Sequence, residues 1–209
     1  AADAADSMQL QANCLLTLSE AHGLAFHIEP VFNAGNKAAT LFRSLGDLAG
    51  AGRAYIWLAG AYEDSGDNLW IGTWGGLNKF DRKENKFTRY QNQPDNPQSI
   101  SHNFIHTIYE DNGGSLWIGT SGGLNKFDRN EERFTHYREK DGLPNDIIYG
   151  ILEDDKGNLW LSTNKGISRF NPKMETFSNY DKRDGLQSNE FNGGASHMGR
   201  SGRMYFGGI

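Results

Sequence analysis

The chain repeats itself, and self-similarity at a fixed period restricts a fold more than any composition does. Leu69-Trp70, Leu116-Trp117, Leu159-Trp160 and Met204-Tyr205 recur at spacings of about 47, 43 and 45 residues. Residues 61–90 align without a gap on 108–137 and share 21 identities in 30. A third copy, 151–180, holds register at Asp154, Gly157, Trp160, Thr163, Gly166, Phe170, Phe177 and Tyr180. A fourth begins at Asp184-Gly185-Leu186, matching Asp141-Gly142-Leu143, and is incomplete.

Within one copy, residues 104–109, 116–120, 124–127 and 133–137 carry strand character between turn signals. The connections 110–115, 121–123 and 128–132 are short enough for antiparallel hairpins. Four strands per unit of about 45 residues is the signature of a β-propeller blade, and blades gain a core only by stacking on one another. The expected fold is mainly β: a partial propeller of three to four four-stranded antiparallel blades, at about 55–92, 102–139, 145–182 and a partial 186–209. Propellers close with about four to eight blades, so further blades are expected elsewhere. The chain also opens without Met and stops after a strand-like run, which reads as a cut through a larger protein.

Residues 1–54 read differently. They are rich in Ala and Leu, with Leu10, Cys14, Leu18 and Ala21 near helical spacing, and a helical segment is expected there. At the junction, residues 54–64 have the Ala content of a helix but align with the strand at 101–111. A strand from about 55 to 62 is expected, because pairing with residues 69–73 rewards it.

The motif LWIGTxGGLNKFDR, with IYED upstream and FxxY downstream, resembles the two-component regulator propeller repeat over about 150 residues. The resemblance implies the periplasmic sensor region of a bacterial hybrid two-component regulator. It further implies a ligand, often an oligosaccharide or another small molecule, and a β-sandwich, membrane span and kinase or other output module beyond the propeller. A homodimer of the full-length protein is a partner expectation of the same origin.

Composition excludes several alternatives. A formal charge of −5 argues against a nucleic-acid partner, which needs a basic face. Cys14 is the single cysteine, so no intrachain disulfide or cysteine-based zinc site can form. No run of about 18 apolar residues is present to span a membrane, and the opening residues lack the features of a signal peptide.

The chemistry-bearing residues divide by whether they recur. Glu63-Asp64, Glu110-Asp111 and Glu153-Asp154 close each first strand just before a glycine. A catalytic pair is needed once, whereas a turn device recurs, so these aspartates are expected to cap turns. Trp70, Trp117 and Trp160, each set among aliphatic residues, are expected in the core. Trp74 stands in a hairpin where the other copies have Ser121 and Asn164, and so is a candidate for stacking on a sugar or a protein. The six histidines form no ligand set, and no serine elbow or phosphate loop appears; neither metal, cofactor nor catalytic residue is expected.

In a meander of hairpins, alternate connections emerge on opposite faces. The loops joining fourth to first strands (91–103, 139–146, 181–192) share a face with the second-to-third hairpins and vary in length, as recognition loops on a rigid scaffold do. Trp74, His102, Asn103, Arg138, Asn145 and Asn189 are the expected ligand-binding residues there. The functional expectation is a non-catalytic, ligand-sensing propeller fragment. The alternatives are a protein-interaction platform and a propeller lyase or hydrolase.

Overall fold

The computed structural model describes residues 60–64 and 68–208. The helical segment expected at 1–54 and the start of the junction strand lie outside the described residues. Residues 60–72 and 76–209 form one compact unit; the other takes in Thr73–Gly75 at the tip of a hairpin.

Three four-stranded antiparallel sheets and one two-stranded sheet follow one another in chain order. Blade 1 comprises β1 (Gly60–Glu63), β2 (Asn68–Thr73), β3 (Gly76–Asp81) and β4 (Lys86–Tyr90). Blade 2 comprises β5 (Ile105–Glu110), β6 (Leu116–Thr120), β7 (Gly123–Asp128) and β8 (Arg133–Tyr137). Blade 3 comprises β9 (Ile148–Glu153), β10 (Leu159–Thr163), β11 (Gly166–Asn171) and β12 (Thr176–Tyr180). The partial fourth blade has β13 (Phe191–Met198) paired with β14 (Met204–Gly208). Short 3-10 turns at Glu139–Asp141 and Lys182–Asp184 are the helical elements among the described residues. The expected fold of antiparallel four-stranded blades therefore stands, and in blade 2 the four strands lie where the sequence places them to within a residue at their ends.

Successive first strands lie beside one another: β1 by β5, β5 by β9 and β9 by β13, with β13 also approaching β5. Glycine makes this approach possible. A Cβ on Gly119 of β6 would come within 2.6 Å of Thr107 and 2.9 Å of Ile148 on the next blade's first strand. The hairpin glycines have a second role. Gly123 sits at φ 122°, where a Cβ would lie 2.5 Å from the Tyr137 carbonyl oxygen, and Gly166 repeats the geometry at φ 97°.

Each core lies between two blades rather than within one. Between blades 1 and 2, Trp70, Leu77, Ile105, Leu116, Ile118, Phe127 and Phe134 pack with Ile100 from the connecting loop. Between blades 2 and 3, Trp117, Leu124, Tyr137, Ile148, Leu161 and Phe170 pack with the loop residue Leu143. Trp70 and Trp117 are wholly buried, as expected, while Trp160 is half-buried. The aromatic contact repeats from junction to junction. Trp70 meets Phe127 edge-on with centroids 5.1 Å apart, and Trp117 meets Phe170 likewise at 5.7 Å. A polar latch crosses the same seams: the Tyr90 hydroxyl donates to Glu132 at 3.2 Å and the Tyr137 hydroxyl to Glu175 at 2.8 Å.

Candidate functional site

The recurring aspartates do what their repetition implies. Asp111 Oδ1 accepts from the backbone N–H groups of Gly113 and Ser115, and Asp154 Oδ1 from those of Lys156 and Asn158. The second oxygen has a use that sequence reasoning missed. It accepts the indole N–H of the blade's own tryptophan, at 2.8 Å for Asp64 and Trp70, 2.8 Å for Asp111 and Trp117, and 3.0 Å for Asp154 and Trp160. Each buried indole donor is thereby satisfied, which makes a polar-tipped Trp compatible with a core position. Burial by itself would raise the Asp64 pKa, but hydrogen bonds from Trp70, Arg129 and Asn68 outweigh it and hold the carboxyl at about 2.

The opposite loops carry the residues expected to bind ligand, and most of these side chains hold the loops in shape. In each loop, a side chain two residues before the strand accepts the backbone N–H that follows the first loop residue: Asn103 from Asn92, Asp146 from Glu139, and Asn189 from Lys182, at 2.8, 2.7 and 2.9 Å. The preceding residue caps the turn into the strand: His102 Nδ1 accepts from Phe104 N, Asn145 Oδ1 from Ile147 N, and Ser188 Oγ from Glu190 N. Arg138 begins the 3-10 turn of its loop, donating its backbone N–H to Asp141. Trp74 is in the β2–β3 hairpin and is 43% exposed. For His102, Asn103, Asn145 and Asn189 the acceptor atoms are thus committed, leaving His102 Nε2 and the amide nitrogens of Asn103 and Asn189 without a hydrogen bond among the described residues.

Where these loops enter the first strands, the structure assembles a cluster that sequence reasoning did not find. The β5–β6 register shifts between Ile105 and Thr107, and the β9–β10 register shifts between Ile148 and Gly150. His106 and Tyr149 are the residues left out of the pairing, at matching positions of adjacent blades. A β-bulge turns a side chain away from the regular alternation of the strand. The two rings meet edge-on with centroids 5.1 Å apart. His106 Nε2 shares a 2.8 Å hydrogen bond with Ser121 Oγ of the β6–β7 hairpin, and both residues are half-buried. Exposed Phe104 and the His102 ring, 5.2 Å apart, stand next in the same loop.

Burial, and then the nearby His102, push the His106 pKa below its ordinary value; burial does the same at His102. His106 is therefore neutral at pH 7, with one ring nitrogen donating and the other accepting. Among the described residues no carboxylate is hydrogen-bonded to His106. The cluster offers two aromatic faces, a neutral imidazole and a hydroxyl, which place apolar contact beside hydrogen-bonding groups. A signal is present in the sequence: His106 and Tyr149 share one column of the repeat, between Ile105 or Ile148 and the rest of the strand. No metal-holding group of His, Cys, Asp and Glu is found among the described residues.

With this geometry in view, residues 99–122 and 142–165 match the two component regulator propeller model. Each match runs from the loop, through the bulged first strand, to the second-to-third hairpin. A search of curated proteins finds no match. Among solved structures, an extracellular domain ascribed to the hybrid two component system BT3049 of B. thetaiotaomicron is similar at 32% identity and a TM-score of 0.66, over 73% of this chain. One ascribed to BT4673 of the same organism is similar at 26% identity and a TM-score of 0.62, over 72% of this chain. This chain spans only 20% and 21% of those two chains. Virginiamycin B lyase from Staphylococcus aureus, at 18% identity and a TM-score of 0.50, covers 70% of this chain, which spans 47% of the lyase. That likeness is one of fold alone. The two bulges and the Asp111–Trp117 and Asp154–Trp160 bonds thus lie within repeats that match the two component regulator propeller model.

Proposed function

We propose that this chain is part of the ligand-sensing region of a bacterial two-component regulator, outside the cytoplasm, and that it binds an oligosaccharide or a similar polyhydroxylated molecule without catalysing its turnover. The observation that carries the reading is the pair of bulges that sets His106 and Tyr149 side by side next to Ser121, at the ends of the most variable loops. A rigid scaffold with an aromatic and hydroxyl-bearing cluster beneath variable loops is what small-ligand recognition requires. His102 and Asn103 lie in the loop leading into β5, Arg138 and Asn145 in the loop leading into β9, and Asn189 in the loop leading into β13, where their remaining donors supplement the cluster. Trp74, on its own hairpin, is proposed separately as an exposed ring for stacking. The likeness to extracellular domains of two-component systems supports the sensor role and the location.

The test is a thermal melt of the chain across a panel of oligosaccharides from plant and host polysaccharides. At least one is expected to raise Tm in a saturable way. The His106→Ala and Tyr149→Ala variants, whose residues are half-buried and outside the ladder, are expected to fold and to lose that rise. A panel without effect, or a rise that survives both substitutions, would overturn the assignment of the site.

A further inference from the structure

The face that carries the aspartate turns has a second site, visible by comparing one blade junction with the next. At the junction of blades 1 and 2, the guanidinium of Arg129 lies between two carboxylates. One nitrogen bonds Asp64 Oδ2, and the other is 3.3 Å from Glu110 Oε2. Asp64 belongs to the first blade, while Glu110 and Arg129 belong to the second, so the arginine fastens the two together. At the junction of blades 2 and 3 the matching carboxylates are Asp111 and Glu153, but the residue matching Arg129 is Pro172. A cleft of about 500 Å³ opens there, lined by Asp111, Asn112, Glu153 and Pro172.

We propose that this cleft binds a guanidinium group, occupying the place that Arg129 fills one blade earlier. The carboxylates are already set for it. Asp111 Oδ2 has one hydrogen bond, from Trp117 Nε1, among the described residues, where the matching Asp64 oxygen takes both its indole and the guanidinium. Glu153 is 9% exposed, held by the Asn112 N–H at 2.8 Å and the Tyr109 hydroxyl at 3.4 Å, both on Oε2. Its other oxygen has no hydrogen bond among the described residues. A nearly buried carboxylate fixed on one side, facing a cleft, is an expensive arrangement unless a cation or donor completes it.

The lining as a whole keeps the sign required. Four carboxylates, at Asp111, Glu153, Asp154 and Asp155, stand against the ammonium groups of Lys126, Lys156 and Lys173. Of these, Lys126 is drawn over the Trp117 ring, 5.3 Å from its centroid. Lysine is a point charge, whereas a guanidinium presents a planar fork that two carboxylates can grip at once, so the cleft is expected to prefer guanidinium over ammonium. The source of the group is either a free small molecule such as arginine or an arginine side chain of a peptide.

The experiment follows the Trp117 indole N–H resonance while L-arginine, L-lysine, methylguanidinium or an arginine-containing tripeptide is added at millimolar concentration and constant ionic strength. Arginine and methylguanidinium are expected to shift it saturably, and lysine to shift it at least fivefold less. Response to the tripeptide but not to free arginine would assign the peptide source, and the converse the small molecule. In the Pro172→Arg variant the intrachain arm is restored. That variant is expected to raise Tm by about 2–4 °C over Pro172→Ala and to abolish the arginine response. Equal shifts by lysine and arginine, an arginine response that persists in Pro172→Arg, or no response in the parent chain would each overturn the proposal.

Discussion

Trp117 and Trp160 occupy the same position of adjacent blades and share the same Asp–indole bond, yet their surroundings differ. Trp117 is wholly buried, with Phe170 of the next blade edge-on to its ring and the latch from Tyr137 to Glu175 beside it. Trp160 is half-buried and stacks on Tyr180 of its own blade at 5.6 Å and 17°. Among the described residues the next blade comprises β13 and β14, and no third-strand Phe reaches Trp160. A blade is thus not a unit of stability. Its sheet supplies half of two cores, and a tryptophan is worth what the following blade puts on it.

The comparison yields predictions in descending size. Trp117→Ala empties a fully enclosed site and is expected to cost about 3–5 kcal/mol by urea denaturation. Trp160→Ala should cost about half of that or less, and equal costs would break the contrast. Asp111→Ala removes the acceptor of two turn N–H groups and strands the Trp117 indole donor. A loss of about 2–3 kcal/mol is expected, and indole hydrogen exchange at Trp117 should quicken ahead of exchange in the β7–β8 ladder.

Acid should act through the blade 1 and 2 junction. Because the folded pKa of Asp64, about 2, lies below the unfolded value, its contribution is complete above about pH 4 and is lost as pH falls toward 2. Arg129→Ala should move that loss to higher pH, measured as the acid midpoint by tryptophan fluorescence. The smallest effect belongs to the latch. Tyr137→Phe is expected to cost about 1 kcal/mol, while Tyr180→Phe, whose hydroxyl has no hydrogen bond among the described residues, should be close to neutral.

Much of the blade is legible in the amino-acid sequence. The repeat of Leu-Trp, Gly-Gly and Phe marks the four strands of each blade, because strand alternation and turn residues act locally. The turn role of Asp111 and Asp154 follows from recurrence, and the burial of Trp117 from its aliphatic neighbours. The loops are less legible. There Asn103, Asn145 and Asn189 have the composition of ligand contacts, but their acceptors clasp backbone N–H groups up to 11 residues away in sequence. The pairing of His106 with Tyr149 escapes notice because a bulge depends on how two strands pair, which one strand's sequence does not reveal.

The sequence by itself determined the blade: its strands, its hairpin glycines and its capping aspartates all answer to forces acting within a few residues. Only tertiary structure decided what the blades make between them. Arg129 reaches Asp64 across 65 residues, and His106 meets Tyr149 because two first strands lie side by side. Such contacts depend on distance and desolvation once sheets have stacked, and neither quantity exists along an extended chain.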